Sequence, residues 1–126
     1  MNKYFNKKVH YKDEKFGDLI FDSKKEFHHF LKLRQREIDG DIENLELQKE
    51  FLLIPPVKRE EYYSITGEKL IHKAERKCIY ICDFYYYDKD FNKNVCCDVK
   101  GFRTDVYKIK KKLFRYLYKE ILFLEI

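Results

Sequence analysis

Ile79-Tyr80-Ile81-Cys82-Asp83-Phe84-Tyr85 and Asn94-Val95-Cys96-Cys97-Asp98-Val99-Lys100 are two short runs rich in β-formers, with the polar stretch Asp88-Lys89-Asp90-Phe91-Asn92-Lys93 between them. That stretch reads as a hairpin turn. A hairpin centred between Asp90 and Phe91 sets Asp88 opposite Lys93 and Asp83 opposite Asp98. Directly opposed residues share a face with Cβ atoms about 5 Å apart, and period-two alternation puts Lys100 on that face too. Two carboxylates so placed repel, which predicts a neutralising partner. A hard divalent cation takes oxygen ligands of this kind, and a lysine beside it completes the parts for metal-assisted hydrolysis of a phosphodiester.

Upstream, Ser23-Lys24-Lys25-Glu26 is a capping-box pattern that predicts a helix. Phe27, Phe30, Leu31, Leu33 and Ile38 have helical spacing, and Gly40 ends the helix. Glu26, Phe30 and Leu33 fall at i, i+4 and i+7, so Glu26 lies near the buried face. Residues 1–22 alternate loosely around a polar turn at Asp13-Glu14-Lys15 and Gly17, and read as a hairpin or an extended arm. Leu45 to Ile54 reads as a strand stopped by Pro55-Pro56. The charged segment 57–70 carries the turn signal Ser64-Ile65-Thr66-Gly67.

The second core strand is read from Leu70 to Tyr87, with an irregular start, and the third from Asn94 to Lys100. After Gly101, Thr104 is the expected N-cap of a second helix running through Tyr118. Val106, Ile109, Leu113 and Leu117 form its expected apolar stripe; Lys108, Lys111, Lys112, Arg115 and Lys119 form a basic one. The closing apolar run from Ile121 follows a helix, so a right-handed crossover should lay it parallel to the third strand. The order αβββαβ predicts an α/β fold in one domain, 1–126, with residues 1–22 as the hairpin or arm, 23–126 as the core, and a mixed sheet flanked by two helices.

The chain has 126 residues, enough for one domain with a real core. Lys and Arg number 27 against 22 Asp and Glu, a net charge of +5 that favours an anionic partner provided the acids are segregated. The N-terminal residues lack the apolar segment of a signal peptide. No apolar run reaches the ~20 residues a membrane span needs, and a cytoplasmic protein with no membrane contact is expected. Four cysteines, at 78, 82, 96 and 97, fit a reducing compartment. Their spacing lacks the Cys-x2-Cys knuckle of zinc sites, so they read as buried apolar residues.

The order of elements and of Glu26, Asp83, Asp98 and Lys100 resembles the PD-(D/E)XK nuclease superfamily, with its restriction-endonuclease-like core. Phe21-Asp22-Ser23-Lys24-Lys25-Glu26, Cys82-Asp83-Phe84, Asp98-Val99-Lys100-Gly101 and Thr104-Asp105-Val106-Tyr107-Lys108 resemble a group of small, mostly phage-encoded endonucleases predicted within it. Cys82 stands where the superfamily usually has proline. The resemblance covers the chain from about Phe21 onward. It implies a metal-dependent endodeoxyribonuclease acting on DNA with Mg²⁺ or Mn²⁺, in the bacterial host cytoplasm if phage-encoded.

On that resemblance Asp83, Asp98 and the Val99 carbonyl bind the metal, and Glu26 holds a metal-bound water or a second ion. Lys100 orients the attacking water or stabilises charge on the phosphorane. Branched-DNA or Holliday junction resolution is the favoured subtype, and it would require a homodimer. Each residue also has a plainer reading. Glu26 is equally a capping-box glutamate, and Lys100 equally an ion-pair partner. Asp83 and Asp98 are harder to explain structurally, because aspartate has poor β propensity and is costly to bury.

Gln48, His29 and Tyr107 are secondary candidates, each with an ordinary surface role as the alternative. Thr104 and Lys108, at a helix N-terminus, are candidate phosphate contacts. Lys111, Lys112 and Arg115 extend them into a DNA-binding track, against the plainer reading of a solvated face. Two other functions compete with the nuclease: a non-catalytic nucleic-acid-binding module on the same fold, and a small phage interaction or regulatory protein using segment 57–70.

Overall fold

The computed structural model describes residues 7–99 and 102–126. Lys100 and Gly101, and the expected face of Lys100 with them, lie outside these residues. The chain runs β1 (Val9–Asp13), β2 (Gly17–Phe21), α1 (Lys24–Asp39), β3 (Ile42–Ile54), β4 (Glu60–Tyr63), β5 (Lys69–His72), β6 (Cys78–Asp88), β7 (Lys93–Asp98), α2 (Asp105–Leu117) and β8 (Leu122–Glu125). The main sheet has the order β3-β6-β7-β8, with β8 parallel to β7 and the other neighbours antiparallel. The fold is therefore α/β with a mixed sheet and two helices.

Local signals explain most boundaries. Ser23 Oγ accepts the N–H of Glu26 at 3.1 Å and opens α1; Gly40 closes it at φ 85°, a left-handed position that glycine takes without steric cost. Thr104 caps α2 by accepting the N–H of Tyr107 at 3.0 Å. The β1–β2 turn is held by Asp13, whose Oδ2 accepts N–H groups from Lys15 (2.8 Å) and Phe16 (3.1 Å) and an ion pair from Arg34 (3.1 Å).

Two cores sandwich the sheet. On one face, α1 and the β1–β2 hairpin bury Phe21, Phe30 and Leu33 against Leu45, Phe84, Tyr86, Val95 and Cys97. On the other, Phe114 of α2 packs with Phe51, Leu53, Tyr80, Cys82 and Cys96. Three cysteines, 82, 96 and 97, are thus core residues, and burial pushes the Cys97 thiol up to about 12.

The structure corrects three expectations. Residues Leu70 to Tyr87 are not one strand: β5 belongs to a separate β4–β5 hairpin whose residues are all exposed, and β6 starts only at Cys78. The sheet-facing side of α2 is Tyr107, Phe114 and Tyr118 with Leu113 of the expected stripe beside them, while Val106, Ile109 and Leu117 point to solvent. Three aromatic side chains bury more apolar area than the aliphatic stripe beside them, and that decides which side docks. Lys111 consequently leaves the basic stripe, because it lies toward the sheet and pairs with Glu125 at 3.2 Å.

Candidate active site

β3 and β6 both turn over at one point. Leu45 and Leu47 face the α1 core, yet Phe51 and Leu53 face the α2 core. On β6, Tyr80 and Cys82 face α2, whereas Phe84 and Tyr86 face α1. The two strands stay in one register across the change, with Leu47 paired to Phe84 and Lys49 to Cys82. Gln48 and Asp83 occupy the pivot. Gln48 takes φ 52°, a left-handed conformation uncommon for a residue with a Cβ, and such local strain collects at functional sites.

Asp83 is nearly buried at this pivot. Its Oδ2 accepts the Val99 N–H at 2.9 Å and its Oδ1 accepts the Gln48 side-chain amide at 3.2 Å. A cleft of about 270 Å³ opens here, and Asp22, Glu26, Gln48 and Asp83 supply its polar lining. Helix α1 delivers Glu26 to the cleft from its first turn. Asp22 was not among the residues expected from the sequence; the available signal was its place just before the Ser23 cap, four residues ahead of Glu26.

The hairpin register follows the count across the turn, from Asp88↔Lys93 to Phe84↔Cys97. Beyond that pair Asp83 and Asp98 are not register partners. β7 alternates without turning over, placing Cys96 in the α2 core and Cys97 in the α1 core. Asp98, fully buried, accepts a hydrogen bond from the Tyr80 hydroxyl, whose ring packs against Phe114 and Phe123 on the α2 side. Asp83 opens instead to the cleft on the α1 side. Among the described residues no group of three or more His, Cys, Asp and Glu side chains is placed to hold a metal ion.

The other candidates separate. His29 is half-buried with its ring edge-on to Phe84 and Nε2 3.4 Å from Cys97 Sγ. Burial and then the neighbouring Lys32, Arg36 and Lys25 lower its pKa, so the neutral imidazole is favoured. The Tyr107 hydroxyl donates to Glu125, which also pairs with Arg103 (2.9 Å) and Lys111 (3.2 Å). The Tyr107 bond first, then the two cations, hold the Glu125 carboxyl at about 2 against partial desolvation. Glu125 is the register partner of Asp98, so this network ties the β7–α2 link and α2 to the end of β8. Thr104, Lys108, Lys112, Arg115 and Lys119 are exposed.

An α/β domain with an acidic cleft at a strained point of its sheet is the class that fold and geometry define. The family model described as "Protein of unknown function (DUF1064)" matches residues 1–125, and the chain belongs to that family. No curated protein and no solved structure matches it. Among the described residues no helix is long and apolar enough to cross a membrane.

Proposed function

We propose that the protein is a metal-dependent endodeoxyribonuclease with a restriction-endonuclease-like core, and that the Gln48–Asp83 pivot is its reaction centre. The observation that carries this reading is the cleft itself: Glu26, Asp83 and Gln48 converge where two strands give up regular alternation, beside the Val99 backbone. The donor set fits a hard divalent cation, being two carboxylates and an amide oxygen. Asp83 and Glu26 would hold it, with the Val99 carbonyl as a third ligand by analogy with the superfamily. Bound there, Mg²⁺ or Mn²⁺ lowers the pKa of a coordinated water and offsets charge developing on a phosphodiester.

The chain's own groups do the rest. Gln48 fixes the Asp83 carboxylate by donating to Oδ1, leaving Glu26 to orient water in the cleft. Lys100 follows Val99 directly and is assigned to the developing phosphorane charge. Lys108, Lys112, Arg115 and Lys119 offer a one-signed phosphate track along α2. Asp98 would join the ligands either through the oxygen that does not accept the Tyr80 hydroxyl or by exchanging that hydroxyl for the cation. Its burial on Tyr80 is the observation that favours the second reading, a nucleic-acid-binding module without catalysis.

The deciding experiment incubates supercoiled, linear, single-stranded and four-way DNA with the protein in Mg²⁺ and in EDTA. Mg²⁺-dependent cleavage that Glu26→Gln, Asp83→Asn and Lys100→Ala each abolish, with DNA binding retained, supports the nuclease. Binding without cleavage by the wild type in either Mg²⁺ or Mn²⁺ refutes it and leaves the binding module.

A further inference from the structure

Helix α2 carries a second, largely exposed apolar face, of which one member, Leu113, also packs against the α2-side core. The exposed Phe102 lies two residues ahead of the Thr104 cap, and Val106, Ile109, Leu113 and Tyr116 are spaced three, four and three residues apart. This is the a/d spacing of a coiled-coil seam. The side chains are presented to solvent: Phe102 is 78% exposed, Val106 63%, Ile109 62% and Tyr116 67%, with Leu113 half-buried. Contiguous exposed apolar patches of this kind mark interaction sites.

We infer that this face is the self-association surface of the protein, pairing α2 with α2 of a second copy in parallel about a two-fold axis. Spacing selects the kind of occupant, because a three-four-three seam is filled by the knobs of another helix. Charge then selects the copy and the direction. With Val106 and Leu113 at a, the g position of the first turn is Asp105 and the following e position is Lys110, so parallel helices pair Asp105 with Lys110 of the other copy twice over. The next g–e pair sets Lys112 against the apolar Leu117. An antiparallel pair would instead bring Lys110 to Lys110 and Lys112 to Lys112, like charges across the seam. A β-branched Val at a also suits two strands. Lys108 and Arg115 lie outside the seam and stay free.

A seam of four side chains on one 13-residue helix falls short of the roughly 20–30 residues a side of a standard stable interface, so weak association, with a dissociation constant on the order of 10 µM, is expected. The pairing needs no metal and no catalysis, so it stands or falls apart from the nuclease reading. The test is sedimentation equilibrium of the full chain from about 2 to 300 µM, spanning that constant. A monomer–dimer equilibrium is expected. Ile109→Glu should shift it at least 30-fold toward monomer with an unchanged circular dichroism spectrum. Leu70→Glu, at an equally exposed site on the β4–β5 hairpin, should leave it unchanged. Oxidised Ile109→Cys should form a disulfide-linked dimer, as parallel d positions face each other. A wild type that is monomeric throughout, or a dimer that Ile109→Glu leaves intact, overturns the inference. Cross-linking only in a mixture of Val106→Cys and Tyr116→Cys chains overturns the parallel arrangement.

Discussion

Replacing Asp83 separates its structural duty from its proposed chemical one. Asp83→Ala removes the acceptor of the Val99 N–H and of the Gln48 amide in one step. A buried donor left without a partner costs about 1–3 kcal/mol, and we take ~2 kcal/mol for the half-buried Val99 N–H, the exposed Gln48 amide regaining water. Unfolding entropy of about 2.1 cal/mol/K per residue gives ~0.26 kcal/mol/K for a chain of 126 residues, so Tm should fall by about 8 °C. Asp83→Asn keeps an oxygen for Val99, and the Gln48 amide can turn its own oxygen to the new NH₂ group. Its Tm should therefore stay within about 3 °C of wild type, a change below ~1 kcal/mol.

Mg²⁺ distinguishes the variants further. At tenfold its dissociation constant it should stabilise the wild type by ~1.4 kcal/mol, about 5 °C, because it binds the folded chain alone. Neither variant should gain, and neither should cleave DNA. Scanning calorimetry with and without Mg²⁺ measures every term. An Asp83→Ala protein as stable as wild type would refute the bridging role. A full Mg²⁺ response in Asp83→Asn would refute the cation site.

Glu125 predicts an acid-labile anchor. Its folded pKa, about 2, lies below the unfolded value of about 4.3, so its stabilisation is complete above pH ~4.5 and is lost as pH falls toward 2. Tm against pH should show this loss in the wild type, and Glu125→Gln should lack that component. For DNA affinity, neutralising Lys108, Lys112 and Arg115 should reduce the log–log salt slope by about 0.9 for each phosphate they had neutralised, whereas Lys111→Ala should lower Tm, since Lys111 serves Glu125. An unchanged slope in the triple variant marks a merely solvated face. Tyr80→Phe should strengthen Mg²⁺ binding if Asp98 joins by giving up the Tyr80 hydroxyl; isothermal titration showing weaker or equal binding argues against that exchange. Replacing residues 58–74 by a short Gly/Ser turn should move Tm by less than ~3 °C, because β4 and β5 are exposed throughout and Val57 still bridges Glu75.

What the sequence made legible follows from local chemistry. Caps at Ser23, Thr104 and Gly40 act within one turn of backbone, and the structure has all three. The hairpin count from Asp88↔Lys93 to Phe84↔Cys97 needs only a turn centre and a period of two. The parallel placing of β8 needs only the handedness of a crossover. The failures arise where two local solutions compete. α2 carries an aromatic stripe and an aliphatic stripe, and only the sheet opposite it chooses between them. Likewise β5 is a real strand, but its β character does not say which sheet it joins.

The failure at Asp83 is of a different kind. Alternation predicted that Asp83 and Asp98 share a face; the two are not register partners, and Asp83 lies where Gln48, on the neighbouring strand, adopts a left-handed backbone. Glycine or asparagine would have signalled such a conformation; glutamine does not. A chain that keeps a glutamine in an unfavourable backbone conformation beside a nearly buried carboxylate breaks local rules where function is most economically placed. The same pivot brings Asp83 together with Glu26 and Gln48 in one cleft. Glu26, Asp83 and Gln48 are each legible in the sequence as candidates, but their meeting in one cleft from α1, β3 and β6 depends on the fold.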